Sequence, residues 1–293
     1  AHNAFLTACQ LLKKDGHMSV FHVFNKERDS TLNRQFKSQA VESVYSATLA
    51  SKYSEARASM EMVESMRVEA PRRETLLKYV NGLRPPADFL VVGVTGSKGP
   101  KADRTVLGST TDMSLRGALM SAIVVKNKTG MKDGSKRFMV GVDGSHRALV
   151  TVKAVQELAG PEDSIAIVHV YNSASQGDLS EAFKVSGVKH FYTDFIKQDS
   201  RCSFSTVDTT GESFPSLAAA LVAQPHEDEE ATAFLAVGAD GMSAFAAGKQ
   251  SVNLGSFTEY VVKHSEVNVI VVQDRDEVHA GSGAESKVAA SHK

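Results

Sequence analysis

The chain has 293 residues, a formal net charge of −1 and 42% hydrophobic residues, a globular composition rather than that of a disordered or fibrous protein. This length accommodates two domains, and the near-zero charge provides no basic field for nucleic acid or an anionic membrane. Two cysteines exclude a disulfide framework, and no apolar run reaches the length of a membrane span. We therefore expect a cytoplasmic protein that binds neither nucleic acid nor a membrane.

The first half alternates between helical and strand-like patterns. A helix is predicted from about Ala4, and a second, long helix over about Thr31–Ala58. Short apolar, β-prone runs predict strands near Met18–Phe24, Ser59–Ser65, Phe89–Val92 and Ala122–Val125. The polar stretch 127–136, which holds two glycines, is predicted to be a linker.

The second half shows the same alternation more clearly. Helices are predicted over Ala148–Leu158, about Ser180–Lys197, Phe214–Ala223 and Ser256–Lys263. Strands are predicted over Phe138–Val142, Ser164–Val170, Cys202–Val207, Phe234–Val237 and Val267–Val272. Strands that alternate with helices pair in parallel and form a doubly wound sheet. The tail 275–293, rich in glycine, alanine, serine and charge, is predicted to be disordered.

The two halves read as copies of one domain. Phe89–Gly96 aligns with Phe234–Gly241 at an offset of 145 residues. At an offset of 147, three more segments align: Leu107–Ser109 with Leu254–Ser256, Ile123–Val125 with Ile270–Val272, and His22–Phe24 with His169–Tyr171. A repeat of this length is a whole domain, so we predict one domain over 1–126 and another over 137–274.

One strand has no counterpart in the first copy. In the second copy a strand and the turn Asp143–Ser145 precede the helix at Ala148, whereas the first copy opens on its helix. That strand is central in a doubly wound sheet, and each buried unpaired backbone group costs about 1–3 kcal/mol. We therefore expect the native protein to be longer at its N-terminus, or another chain to supply the strand.

Glycines follow the Phe89 strand and the Phe234 strand at equivalent positions. Glycines let backbone amides approach a phosphate, and the N-terminus of a helix attracts an anion. The same pattern is also ordinary turn chemistry followed by a helix cap, and neither copy matches a P-loop. The residues concerned are Gly93, Gly96, Gly108 and Ser109 in the first copy, and Gly238, Gly241, Gly255 and Ser256 in the second.

The order of elements and motifs resembles the universal stress protein domain over about 1–126 and 137–274. The motifs are a first strand ending in Val142–Ser145, a His-Val second strand at His169, and glycines from Gly238 to a Gly-Ser step. The resemblance implies two tandem Rossmann-like domains, each a five-stranded parallel doubly wound sheet, the first lacking its first strand. The loops before the Gly-Ser steps are two and four residues longer than the nine of the family.

Proteins of this family often bind ATP or AMP, so the resemblance implies an adenine-nucleotide site in each copy, with or without Mg²⁺. By carry-over, the site of the second copy comprises Asp143, Gly238, Gly241, Gly255 and Ser256. The phosphate half of the first site comprises Gly93, Gly96, Gly108 and Ser109, and its aspartate lies outside this sequence.

The last strands, Ile123–Val125 and Ile270–Val272, are potential sheet edges. In the resembling family such strands pair antiparallel between subunits, so we expect the two copies to pair with each other as an intramolecular pseudo-dimer. The alternative is that the linker or the tail covers each edge.

Two functions stay open. One is a non-catalytic ATP- or AMP-binding module for stress response or signalling. The other is a scaffolding subunit of a larger assembly, for example in a cilium or the cytoskeleton, with degenerate nucleotide sites. The sequence displays no acid–base pair, metal cluster or activated nucleophile, so we expect at most weak ATP hydrolysis. His22 and His169 lie in apolar strands and are predicted to be core residues rather than metal ligands.

Overall fold

A computed structural model describes residues 1–54, 57–65, 72–95, 103, 105–126, 134–177, 179–211, 215–227, 232–239 and 254–273. The first half contains α1 (His2–Leu11), β1 (Met18–Phe24), α2 (Lys26–Asp29), α3 (Ser38–Lys52), β2 (Ala58–Glu64), α4 (Arg72–Asn81), β3 (Phe89–Gly93), α5 (Ser109–Gly117) and β4 (Ser121–Val125). The second half contains β5 (Arg137–Gly141), α6 (His146–Leu158), β6 (Ser164–Tyr171), α7 (Val185–Phe195), β7 (Cys202–Asp208), α8 (Leu217–Glu227), β8 (Thr232–Gly238), α9 (Ser256–His264) and β9 (Asn268–Val272).

The strands of the second half form a parallel, doubly wound sheet in the order β7-β6-β5-β8-β9. The central strand β5 is apolar on both faces because helices cover both sides of the sheet. Phe138 and Val140 enter the core beneath α6 and α7, and Met139 enters the core beneath α8 and α9. The five-stranded arrangement expected for this copy is confirmed.

The first half keeps the same chain order but its sheet is divided. β1 pairs in parallel with β2, and β3 pairs in parallel with β4. Within the described residues, β1 and β3 have no other partner on their facing sides. The helix α1 contacts β1, β3 and β4, as α6 contacts β6, β8 and β9. Among its described residues, the first copy therefore keeps the frame of the fold with no strand between β1 and β3.

The two halves are joined by antiparallel pairing of β4 with β9, which makes one seven-stranded sheet. Ile123 lies opposite Ile270, its own equivalent in the repeat, so the ladder is centred on a local two-fold axis. The flanking bonds obey the same symmetry, since the amide of Lys126 donates to Asn268 Oδ1 at 3.0 Å and the amide of Gln273 donates to Ser121 Oγ at 3.2 Å. Each half thus covers the edge strand of the other.

The prediction of one long helix over Thr31–Ala58 is wrong. The structure has a short 3₁₀ turn at Arg34–Phe36, an extended Lys37, and then α3 from Ser38. The carboxylate of Asp29 accepts hydrogen bonds from the amide and hydroxyl of Ser38, both at 2.8 Å, and so caps α3 from outside. The helical periodicity of the sequence contained no signal for a cap nine residues upstream.

The helix predicted over Ser180–Lys197 is also shorter, because α7 begins at Val185. Gln176 Oε1 accepts the amide hydrogen of Val185 at 2.8 Å and fixes that start. Most of the predicted linker and the whole predicted tail lie outside the described residues, so the boundaries 127–136 and 275–293 stay predictions.

Replacing either central isoleucine of the β4–β9 ladder by alanine should lower the free energy of unfolding by about 2–5 kcal/mol. Ile123 is 1% exposed and Ile270 is 0% exposed, so each truncation leaves a cavity in the shared core. Urea denaturation measures the loss, with Val44→Ala as control because Val44 is 58% exposed. The loss of stability in the double variant should differ from the sum of the two single losses, because the two side chains face each other across the ladder. Losses no larger than that of Val44→Ala would contradict the pairing.

Candidate functional site

The glycine motifs lie at the carboxyl edge of the sheet, where the winding direction reverses. In the second half this reversal falls between β5 and β8, which pair up to Val140 and Ala236. The residues that follow each strand, Asp143 after β5 and Ala239 after β8, therefore leave the sheet side by side. Ligands of doubly wound proteins bind at such a crevice.

Two hydrogen bonds close the glycine loop of the second half. The amide of Gly255 donates to the carbonyl oxygen of Ala239 at 2.9 Å. The hydroxyl of Thr258 donates to the carbonyl oxygen of Gly238 at 2.6 Å. These bonds tie the first turn of α9 to the end of β8, so the helix N-terminus is held at the sheet edge whatever the length of the loop between them.

The first half closes its loop with the same two bonds. The amide of Gly108 donates to the carbonyl oxygen of Val94 at 2.9 Å, and the hydroxyl of Thr111 donates to the carbonyl oxygen of Gly93 at 2.7 Å. Both threonines are 2% exposed. The closure is therefore a property of the repeated fold and not of one copy.

The helix N-termini that these bonds position offer backbone donors. Gly108 and Gly255 are the cap residues of α5 and α9, and a glycine has no side chain that could cap the first-turn amides. Ser109 and Ser256 open the two helices and are both exposed. Each helix thus presents free N–H groups, a hydroxyl and the positive end of its dipole at the carboxyl edge.

Acidic side chains in the first turns would oppose an anion, but they are engaged in ion pairs. Asp112 of α5 pairs with Arg116 at 3.1 Å. Glu259 of α9 pairs with Lys263 at 2.6 Å and with Arg116 at 3.4 Å. The pKa of Glu259 is lowered, chiefly by the hydrogen bond from Lys263. The Arg116–Glu259 contact also links the two helices across the junction of the halves.

The turn after β5 is held in a single conformation by its own side chains. Asp143 Oδ1 accepts the amide hydrogen of Ser145 at 3.0 Å, and Ser145 Oγ accepts the amide hydrogen of Ala148 and caps α6. Gly144 has a φ of 83°, which favours glycine, and a Cβ there would come within 2.9 Å of Val188. Asp143 is therefore placed at the mouth of the β5–β8 crevice by a rigid turn.

His169 contacts the backbone just before this turn. It is 5% exposed on β6, and its Nδ1 lies 2.8 Å from the carbonyl oxygen of Val142, the residue before Asp143. The ring stacks on Tyr171 with 5.8 Å between centroids. Burial lowers the pKa of His169, as it lowers the pKa of His22 at the equivalent place in β1. The histidine is a core residue, as predicted.

The structure describes seven of the nine predicted site residues, and Gly96 and Gly241 lie outside the described part. Gly93 and Gly108–Ser109 meet in one loop closure, and Gly238 and Gly255–Ser256 meet in the other. Asp143 lies in the turn after β5, the strand beside the second closure. Sequence reasoning missed Thr111 and Thr258, which make the closing bonds. A signal was present, since Gly-Ser-x-Thr occurs in both copies at an offset of 147.

A cavity of about 380 Å³ lies along the outer side of α5. It is lined by Ser109, Asp112, Met113, Arg116 and Gly117 from α5 and by Arg73 from the first turn of α4. The cavity thus contains one arginine of α5 itself and one from the neighbouring helix α4, and sequence reasoning did not single out either of them.

Within the described residues, no group of His, Cys, Asp or Glu side chains is clustered closely enough to hold a metal ion. Both cysteines are free and half-buried, and burial raises the pKa of Cys202 to about 11. The helices of the described part include none that could cross a bilayer.

Two α/β halves, joined through their last strands and each with a glycine loop at the carboxyl ends of its strands, define a tandem α/β protein. The sequence profile described as the universal stress protein family matches residues 134–273. The second half is therefore similar to the universal stress protein family, and the first half repeats the chain order of its elements. No curated protein sequence matches the chain.

Solved structures of similar fold extend over both halves. A universal stress protein from Archaeoglobus fulgidus DSM 4304 covers 94% of this chain and 93% of its own, at 16% identity and a TM-score of 0.63. A functionally unknown protein from Pseudomonas aeruginosa PAO1 covers 96% and 92%, at 12% identity and a TM-score of 0.62. A universal stress protein in complex with cAMP covers 48% of this chain and 98% of its own, at 18% identity and a TM-score of 0.32.

Replacing Thr258 by valine should lower the free energy of unfolding by about 1–3 kcal/mol, because the shape is kept while a buried carbonyl loses its donor. Thr111→Val should cost a similar amount in the first half. Thr48→Val is the matched control, since the Thr48 hydroxyl bonds to Val44 on the exposed side of α3. Urea denaturation distinguishes them, and equal stability of all three variants would refute a role for the closing bonds.

The free energy of unfolding should fall as the pH drops below about 6.5, because the unfolded chain protonates His169 and His22 more readily than the folded chain does. The pKa values of both histidines are lowered in the folded state. The loss of stability therefore begins as the pH falls through the ordinary histidine pKa, and it levels off once the pH is below the pKa of the folded state. His169→Asn should make the pH slope shallower. Val44→Asn, at an exposed side chain that does not titrate, should leave the slope unchanged. Denaturation at a series of pH values tests this.

Proposed function

We propose that this protein is a non-catalytic adenine-nucleotide-binding module, with ATP or AMP held at the carboxyl edge of its sheet, in a stress-response or signalling role. The nucleotide phosphates would contact the first turns of α5 and α9, and Asp143 would face the nucleoside end in the second half. The site residues of the proposal are the nine predicted from the sequence. The two halves act as an intramolecular pseudo-dimer through β4 and β9.

The observation that carries the proposal is the duplicated closure of the glycine loops. Without the bonds from Thr111 and Thr258, longer loops than those of the family would leave the helix N-termini free to move away from the strand ends. With them, Ser109 and Ser256 stay next to Gly93 and Gly238 in both copies. An anion site needs this proximity because the dipole and the first-turn amides act only over about one turn.

The electrostatics of the edge are compatible with a phosphate. Asp112 and Glu259 are each paired with a cation, so the first turns have no uncompensated negative charge. In the first half Arg73 also lines the cavity next to Ser109, whereas Arg116 is engaged with Asp112 and Glu259. A guanidinium group binds phosphate oxygens through paired donors, so Arg73 favours the first half as the stronger phosphate site.

The proposal is tested by thermal melting with ATP, with and without Mg²⁺, and with AMP. A ligand that binds only the folded chain raises its stability by about 2.7 kcal/mol at a hundred times the dissociation constant. We expect an upward shift of Tm with adenine nucleotides. The absence of a shift with ATP and AMP at millimolar concentration would overturn the proposal and favour the scaffolding alternative.

The site itself is tested with the double variants S109D/S256D and S109N/S256N. Aspartate and asparagine have nearly the same size, and both favour the first turn of a helix, so the fold is kept in each. Aspartate repels a phosphate, whereas asparagine does not. We expect the Tm shift to persist in the asparagine variant and to vanish in the aspartate variant. A shift that survives in both would place the nucleotide elsewhere.

A further inference from the structure

The helices α4 and α5 are held together at their C-terminal ends. Asn81 of α4 donates from Nδ2 to the carbonyl oxygen of Gly117 at 2.9 Å and accepts the amide hydrogen of Leu119 at 2.9 Å. A Cβ at Gly117 would lie 2.6 Å from Leu77, so the helices are in contact there. They run in the same direction, because each precedes one of the parallel strands β3 and β4.

A cavity borders the two helices toward their N-terminal ends. We define the α4–α5 groove as this cavity, lined by Arg73, Ser109, Asp112, Met113, Arg116 and Gly117. Arg73 precedes Leu77 by four residues, or about one helical turn, so it lies beyond the close contact of the helices. The volume of about 380 Å³ falls within the range of small-molecule sites.

Arg73 brings a positive charge to the groove that no described residue neutralises. Its side chain is half-buried, its Nε is buried without a hydrogen-bond partner, and it forms no ion pair within the described part of the chain. Other half-buried arginines differ in this respect. Arg116 lies 3.1 Å from Asp112. Arg201 lies 2.7 Å from Asp199. A buried donor without an acceptor is rare in folded proteins, and a bound ion is one of its ordinary explanations.

The other groups of the groove leave the charge of Arg73 uncompensated. Asp112 is the only carboxylate of the lining, and its pairing with Arg116 neutralises it. Ser109 adds an exposed hydroxyl, and Met113 is apolar. A guanidinium group binds anionic oxygens through paired donors. The groove is therefore suited to a ligand that carries several anionic oxygens.

The arginine is particular to the first half. The offsets of 145 and 147 residues that relate the two copies place Ala218 or Ala220 of α8 where the first half has Arg73. Ala218 is 3% exposed and Ala220 is 0% exposed, and both belong to the core cluster that contains residues of α9. The repeated glycine loops thus do not account for Arg73, and a role specific to the first half does.

We propose that the α4–α5 groove binds a polyphosphate chain, with Arg73 as the residue that selects it. The inference rests on the proposed function in one respect, since a nucleotide phosphate at Ser109 would place the phosphates that follow it in the groove. ATP then reaches Arg73 with its terminal phosphates, whereas AMP ends at Ser109. The first half is therefore selective for the triphosphate over the monophosphate.

The test is isothermal titration calorimetry of the full chain with inorganic tripolyphosphate, ATP and AMP. Ser256→Asp is present throughout, so that the phosphate site of the second half does not contribute. Arg73→Gln should weaken the binding of tripolyphosphate and ATP by about tenfold or more, because charge-assisted hydrogen bonds are lost. The affinity for AMP should change by less than about twofold, since AMP does not reach Arg73.

The matched control is Arg72→Gln. Arg72 is also half-buried with an unpaired Nε, but it does not line the groove. Both arginines lie in the first turn of α4, where a cation opposes the helix dipole, so neither substitution removes a stabilising charge. Arg72→Gln should weaken tripolyphosphate binding by less than about threefold, because only a charge screened by salt is lost.

Unchanged binding of tripolyphosphate in Arg73→Gln, or equal losses in the two variants, would overturn the groove as the site. A loss for AMP as large as that for ATP would overturn the selectivity. Tripolyphosphate binding that depends on Arg73 while neither ATP nor AMP binds would refute the proposed function and retain the groove. Failure of the inference and failure of the proposed function are therefore distinguishable.

Discussion

The antiparallel contact of β4 with β9 is the interaction on which the architecture depends. Alternate residues of the two strands enter opposite faces of the sheet, so each core is built from both halves. Ile123 and Ile270 belong to one core, and Val124 and Val269 to the other. Neither half could bury these residues alone, because each would then end in an exposed apolar edge strand. The local two-fold symmetry follows from pairing two copies of the same strand.

Groups at the junction reinforce the contact. Lys126 follows β4 and is half-buried, and its Nζ donates to the carbonyl oxygen of Lys263 in the last turn of α9 at 3.2 Å. Burial lowers the pKa of Lys126 to about 8. Arg116 of α5 reaches Glu259 of α9 on the same side of the sheet. The two helices whose N-termini form the candidate site are therefore held in one frame by the junction.

The halves differ in how many elements of the shared fold their described residues form. The second half has its central strand, a rigid Asp143 turn and a histidine that anchors the residue before it. The first half repeats the loop closure to within 0.1 Å, yet its sheet is divided between β1 and β3. The phosphate end of the proposed site is thus duplicated, whereas the described nucleoside end exists once.

The sequence by itself determined the repeat, the succession of strands and helices and the places of the glycines, because buried parallel strands are short apolar runs and glycines mark their ends. Comparison of the two copies also predicted that the first copy lacks its first strand in this sequence. Only the tertiary structure decided where α3 and α7 begin, because their caps come from the distant side chains of Asp29 and Gln176. It alone revealed the closing bonds of Thr111 and Thr258, since a hydroxyl acquires a carbonyl partner eighteen or twenty residues away only when a helix folds back onto its strand.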